Sequence, residues 1–351
     1  MLWLISILIC VGGAGISNYN KTSLNILIIS SYNEYDPCGS EQIKGITSEL
    51  EKEIQAESLG IQIEYMRARK INLTREAREE VADSFYTIFE NLHPRIVFLV
   101  DDIAIEYMLP KLICDTCDYL VVFSGMNRDI RDYDNKHKFI DKWIGERAIP
   151  LKNVTGVIEK IYVKLSVRYT LKIFKNIDVN KDTVIFFMGK DSISRLVEAQ
   201  IKRELQQFKD IPYDFIEAGT FDDFLNKLKI IENDKNIPFY YPLTLVIDSV
   251  GKRLGMNDLI PYYRRYMKKP GITLNKFFCQ LGLFGGVGLN FYEMGRLAAK
   301  KAIAYITGTK VKQILIENAD SVETIFNISR ARQLNVKIPF GVILNAKLIQ
   351  K

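Results

Sequence analysis

The sequence predicts an α/β protein built as two Rossmann-like lobes with parallel sheets. Three observations carry this. Runs of β-branched and other apolar residues alternate with amphipathic helix-like stretches, the pattern of strand–helix–strand units. The alternation runs once, breaks off near residue 126, and then runs a second time without obvious sequence repetition. The chain has 351 residues, 48% of them hydrophobic, which is enough to supply a core to each of two domains.

In the first group, strands are expected at 25–30, 61–66, 95–100 and 119–124. The helix expected near 40–56 carries Ile43, Ile46, Leu50 and Ile54 at helical spacing. A second, near 74–92, has Val81, Phe85, Ile88 and Phe89 on one face, and a third spans about 102–113. Residues 126–150 are polar and read as an exposed loop, after which 153–157 resumes as an extended segment. The second group offers strands at 183–188, 213–217, 243–247 and 276–280, with helices near 158–175, 191–208 and 220–232.

The segment Leu283-Phe-Gly-Gly-Val-Gly-Leu-Asn290 follows that second group. Gly285, Gly286 and Gly288 permit a sharp turn or a close backbone approach. The helix expected over 295–308 has a buried stripe of Leu297, Ala298, Ala302 and Ile306, and Gly308 fits its stop. The glycine run lacks the Gly-Lys-Ser/Thr end of a phosphate loop, and it does not sit at the first strand–helix turn, where a dinucleotide fingerprint belongs. Its position makes it a return crossover to the first lobe, beside a cleft.

The net charge of +6 comes from 48 basic and 42 acidic residues spread along the chain, which describes a solvated surface and not a nucleic-acid-binding arm. Arg264, Lys268 and Lys269 with Tyr262, Tyr263 and Tyr266 read as the charged end of a helix. The apolar start, Met1 to Ile16, ends in Gly13-Ala14-Gly15 and reads as an export signal or an uncleaved anchor. Export places the remainder outside the cytoplasm. There Cys114-Asp-Thr-Cys117 is either a local disulfide or two plain thiols. A zinc site is not expected, because no second Cys-X-X-Cys exists and the chain has two histidines, His93 and His137.

In open parallel sheets, ligands bind outside the carboxyl ends of the strands, so the residues that follow each strand are the informative ones. In the first group these are Ser30-Ser31-Tyr32-Asn33, Asp101-Asp102 and Ser124-Gly125-Met126-Asn127. In the second they are Gly189-Lys190-Asp191-Ser192 and Asp248-Ser249. Carboxylates suit an ammonium, and hydroxyls or helix-start amides suit an anion, so the set fits a small polar or zwitterionic molecule. Singly, Ser192, Asp222 and Ser249 read as helix caps. No Gly-X-Ser-X-Gly elbow occurs and neither histidine follows a strand, which favours binding over catalysis. No metal or cofactor is expected.

The segments Ile26-Leu-Ile-Ile-Ser-Ser-Tyr32, Val97-Phe-Leu-Val-Asp-Asp102, Val121-Val-Phe-Ser-Gly-Met-Asn127, Val154-Thr-Gly-Val157 and Gly285-Gly-Val-Gly288 resemble the ABC-transporter substrate-binding protein family with the type I periplasmic-binding fold. So do Gly295-Arg-Leu-Ala-Ala299 through Gly308 and the ending Asn327 to Pro339. The resemblance implies two lobes joined by three crossovers, a ligand in the cleft between them, closure on binding, and a membrane permease as partner of a monomeric receptor. It implies a ligand shell of Ser31, Tyr32, Asp101, Asn127, Asp191 and Asp248, extended by Ser249 and Gly286. Similar domains also serve as sensors for signalling partners. The implied division is 1–23 as signal peptide or anchor, 24–152 plus 286–312 as one lobe, and 153–285 plus 313–351 as the other.

Overall fold

A computed structural model describes residues 24–54, 58–68, 74–128, 143–206 and 208–350. The expected leader therefore lies outside the described residues, and among the described residues no helix is long and apolar enough to cross a membrane. The first lobe is built on β1 (Leu24–Ser30), β2 (Leu59–Tyr65), β3 (Ile96–Val100), β4 (Leu120–Met126) and β5 (Val154–Ile158). They form one parallel sheet in the order β5-β4-β3-β1-β2, extended beyond β5 by a short strand from late in the chain. Alternate residues of each strand feed two cores, because successive side chains leave a strand on opposite faces. Ile26, Ile28, Phe98 and Val122 pack under α1 (Pro37–Glu53). Leu27, Leu99, Val121 and Phe123 pack under α2 (Arg75–Leu92) and α3 (Asp101–Leu112).

The second lobe begins with α4 (Val163–Leu171), β6 (Val184–Gly189), α5 (Ser192–Leu205), β7 (Tyr213–Ala218), α6 (Phe221–Asn233) and β8 (Tyr240–Leu243). A hairpin of β9 (Val246–Ile247) and β10 (Arg253–Leu254) leads into α7 (Met256–Tyr266) and α8 (Lys276–Gln280). The run expected as a strand at 276–280 is thus a short helix, started by Asn275, whose side chain accepts a hydrogen bond from the Phe277 amide at 2.7 Å. The strand expected at 243–247 is split, with buried Thr244 between its halves bonded to the Tyr263 hydroxyl. Parallel bridges Tyr240–Gly271 and Ile272–Gly285 link β8 through 271–272 to β11 (Gly285–Leu289).

The glycine run is therefore strand β11, and the crossover follows it. A β-carbon at Gly286 would lie 2.6 Å from the Thr273 carbonyl oxygen, and one at Gly288 would lie 2.2 Å from that of Leu274. Close approach of the neighbouring backbone is the reason for the glycines. The chain then forms α9 (Phe291–Ile306) against α1, and β12 (Glu317–Asn318) beside β5 in the first sheet. It returns as β13 (Val322–Asn327), antiparallel to β11, followed by α10 (Ile328–Gln333), α11 (Phe340–Ile343) and β14 (Lys347–Ile349). The antiparallel β11–β13 pair makes the second sheet mixed, where parallel pairing was expected.

Strand pairing distributes the chain differently from the division read in sequence. Residues 154–158 and 317–318 belong to the first sheet, and 285–289 to the second. The chain passes between lobes three times, at 159–162, at 290 and at 319–321. These passages lie side by side: the Tyr162 hydroxyl donates to Ala319 O at 2.7 Å, and Asn290 N donates to Ser321 O at 3.0 Å. Cys114 and Cys117 form a disulfide, with Cα atoms 6.0 Å apart. Cys279 is a free, buried thiol that burial pushes up to about 12.

Candidate functional site

The direction of the strands locates the site. β5, β11 and β12 each run into a crossover at their carboxyl ends, and β1–β4 are parallel to β5. β6 and β8 are parallel to each other and, through the bridged segment 271–272, to β11. The carboxyl ends of both sheets thus face the crossovers, and the space between the lobes is bounded by the residues that follow the strands.

On the first lobe these residues form a buried polar layer. The Ser31 hydroxyl donates to Val100 O and accepts from Ala104 N, both at 2.8 Å, so it ties the end of β3 to α3. Tyr32 is buried next to it. Asp101 begins α3 with a φ of 67°, a left-handed conformation that is costly for a non-glycine residue. Its Oδ1 accepts from Gln42 Nε2 at 2.8 Å, and Gln42 Oε1 accepts from the Ser124 hydroxyl at 2.7 Å. Gly125 makes this possible: a β-carbon there would lie 2.6 Å from Asp101 Oδ1, and the register of β4 against β5 shifts at this residue. Asp102 Oδ1 accepts from the Asn127 amide at 3.1 Å.

Asn127 and Glu159 meet at the first crossover, where Asn127 Nδ2 donates to Glu159 Oε2 at 3.2 Å. Asn127 Oδ1 is a buried atom with no hydrogen-bond partner among the described residues. Gln200 of α5 bridges the lobes here. Its Nε2 donates to Glu159 O at 2.8 Å and to Asn127 O at 3.4 Å, and its Oε1 accepts from Ile161 N at 2.8 Å. Burial pushes the Glu159 carboxyl well above the usual carboxylate range; the negative charges of Asp101 and Asp102 add to this, and the Asn127 hydrogen bond opposes it.

On the second lobe, Asp191 starts α5, accepting from Ser194 N at 3.1 Å and from the Ser194 hydroxyl at 2.6 Å. Lys190, just before it, is exposed. Asp248 and Ser249 lie in the β9–β10 turn, where Asp248 Oδ1 accepts from Val250 N at 3.0 Å and Lys252 N at 2.8 Å. Gly286 is inside β11, against the Thr273 backbone. The structure thus brings Ser31, Tyr32, Asp101 and Asn127 together on one lobe and places Asp191 at the matching end of the other. Asp248 and Ser249 are hairpin-turn residues, and Gly286 is a sheet-packing residue. Of the cap readings, Thr220 and not Asp222 caps α6, accepting from Asp223 N at 3.3 Å.

Sequence reasoning missed Glu159, Gln42 and Gln200. Glu159 fell within the expected 158–175 helix, but α4 starts at Val163 and leaves 159–162 as crossover. Gln42 and Gln200 look like ordinary helix-surface residues until the helices are packed. A polar residue on the apolar side of its helix, as Gln42 is beside Ile43 and Ile46, is the signal that was present.

No family model and no curated protein sequence matches the chain. Solved structures do. The ABC domain of a Streptococcus pneumonia protein in complex with L-Trp is similar over 93% of this chain and all of that one, with a TM-score of 0.69 and 14% identity. A conserved domain protein from Vibrio cholerae covers 94% of this chain and is itself covered completely, with a TM-score of 0.67 and 16% identity. The open, ligand-free form of a substrate-binding protein with adhesive properties from Clostridium difficile covers 93% of this chain and is itself 99% covered, with a TM-score of 0.64 and 15% identity. With the strand order and the three adjacent crossovers, this similarity gives the chain the two-lobed α/β architecture of type I periplasmic binding proteins.

Proposed function

We propose that this chain captures a small solute with an amino-acid-like head group in the cleft between its lobes, outside the cytoplasm, and presents it to a membrane permease. The observation that carries this reading is Glu159, a desolvated carboxyl at the crossover, next to Asn127, whose amide oxygen has no hydrogen-bond partner among the described residues. Together they offer acceptors for an ammonium. Asp101 and Asp102 supply a negative field behind them while holding Gln42 and the Asn127 backbone. Across the cleft, Lys190 and the start of α5 suit a carboxylate. The bound L-Trp of the Streptococcus pneumonia structure supports an amino acid as the class of ligand. Export is supported by the apolar start of the sequence and by the Cys114–Cys117 disulfide. The polar strand ends of the described residues carry hydrogen-bonding groups that suit binding, and release of the ligand unchanged is part of this reading.

The lobes proposed from strand pairing are 24–158 with 291–318, and 163–289 with 322–350. Ligand contacts to both lobes shift the open and closed populations toward closure. Calorimetric titration with the common amino acids tests the reading. One or a few should bind, and Glu159→Gln should weaken binding by about 1.5–3 kcal/mol, the worth of a hydrogen bond to a charged group. Ligand affinity should also rise with pH, because Glu159 must lose its proton to pair with an ammonium. Unchanged affinity in Glu159→Gln removes this residue from the site, and the absence of binding across amino acids overturns the ligand class.

A further inference from the structure

The second lobe carries a groove of about 480 Å³ along α7 that shares no residue with the cleft. Its apolar side is made by Ile260, Pro261 and Leu281, and its polar side by Asn257, Arg264, Arg265 and Gln333. Among the described residues no carboxylate lines it.

The cationic side is exposed and packs against the backbone. Arg264 folds over Gly282, where φ is 119° and a β-carbon would lie 2.7 Å from Arg264 Cδ and 3.2 Å from Cζ. Any side chain at 282 would displace the guanidinium. Behind it, Arg330 is buried and donates to Met267 O at 2.7 Å, Arg264 O at 3.5 Å and Gln333 Oε1 at 3.3 Å. Burial lowers the pKa of Arg330, and the charge of Arg264 lowers it further, against the opposing effects of Tyr240 and Glu232. The nearby carboxylates are otherwise engaged: Glu232 accepts from Lys268 N at 2.9 Å, and Asp258 accepts from Gly255 N at 3.0 Å. Neither Arg264 nor Arg265 forms an ion pair with a described residue.

We propose that this groove is a second ligand site, which takes a small soluble organic anion with its phosphate or carboxylate on Arg264 and Arg265 and its apolar body on Ile260, Pro261 and Leu281. Guanidinium groups pair such oxyanions bidentately. The site is independent of the cleft and of what the cleft binds.

Phenyl phosphate, which combines both features, is the probe, and inorganic phosphate is the comparison. In calorimetry at low salt, phenyl phosphate should bind saturably at one site and more tightly than inorganic phosphate. Amide chemical shifts on binding should move at 257–260, 262–265 and 281–282. The double variant Arg264→Gln, Arg265→Gln should weaken phenyl phosphate at least tenfold, with an unchanged unfolding midpoint as the folding control. The single variant Arg265→Gln, whose side chain is exposed over Tyr266, should give a smaller loss in the same direction. No saturable binding, equal affinity in the double variant, or shifts confined to the strand ends of the cleft would each overturn the proposal.

Discussion

Glu159 shows how one residue couples protonation to folding. Its carboxyl is raised in the folded chain, chiefly by burial and then by Asp101 and Asp102. Between the ordinary value near 4.5 and the raised one, the folded protein keeps a proton that the unfolded chain has lost. Folding stability contributed by this group is therefore full below about pH 4.5 and declines as pH rises through the folded value. Glu159→Gln removes the titration while keeping the Asn127 contact, so the variant should gain stability relative to the parent as pH is raised from 5 to 8. Unfolding midpoints measured across that range check this, and parallel curves for the two proteins would contradict it. The same position marks a limit of sequence reading. Ser31, Asp101 and Asn127 are legible as strand-end positions because they directly follow apolar strand runs, whereas the position of Glu159 depends on where a helix starts, which periodicity places poorly. Asp248 follows a strand-like run too, but hairpin geometry and not the sheet fixes its surroundings.

At the scale of elements, strands β1, β3, β4 and β6 were legible because each is a continuous apolar run buried on both faces, as a central parallel strand requires. Segment 276–280 was not, since five residues of mixed aromatic and polar character fit a strand or a helix, and the capping contact of Asn275 decides. The glycine run was legible as a position of close approach and not as a strand, because glycine has low strand propensity and the pairing with β13 is a long-range contact. Gly288→Ala tests the packing account directly. Its β-carbon would meet Leu274 O at 2.2 Å, so β11 must move away from the segment before α8. Overpacking of this kind costs about 1–3 kcal/mol, which denaturant unfolding should detect. Gly308→Ala, with φ of 97° and no atom nearby, should cost less and act through backbone conformation alone.

At the scale of the whole molecule, two kinds of contact span the lobes. Gln200 stitches the first crossover through three hydrogen bonds to 127, 159 and 161, and is buried. Nearer the strand ends, Lys276 of α8 reaches Glu41 of α1 at 2.6 Å, and Asn275 Nδ2 reaches Cys38 Sγ at 3.1 Å. Burial works to raise the Glu41 carboxyl, but the hydrogen bonds from Lys276 and Lys44 outweigh it and leave the group below its usual value. The stabilising effect of that pair is therefore present above about pH 4.5 and lost as pH falls through the folded value. Each pair is modest on its own, since a partly exposed ion pair contributes about 0.2–1 kcal/mol. Tyr35, 78% exposed after β1, has apolar surface that the proposed closure would cover. Closure should then respond differently to two substitutions. Lys276→Ala removes a contact between lobes and should shift the ligand-free protein toward the open form. Tyr35→Ser should leave the ligand-free form alone but weaken ligand affinity roughly tenfold, about 1.4 kcal/mol. Small-angle X-ray scattering with and without ligand reads both effects. The radius of gyration of the ligand-free protein should increase for Lys276→Ala and stay at the parent value for Tyr35→Ser. An unchanged radius on ligand addition to the parent would show that binding does not close the lobes.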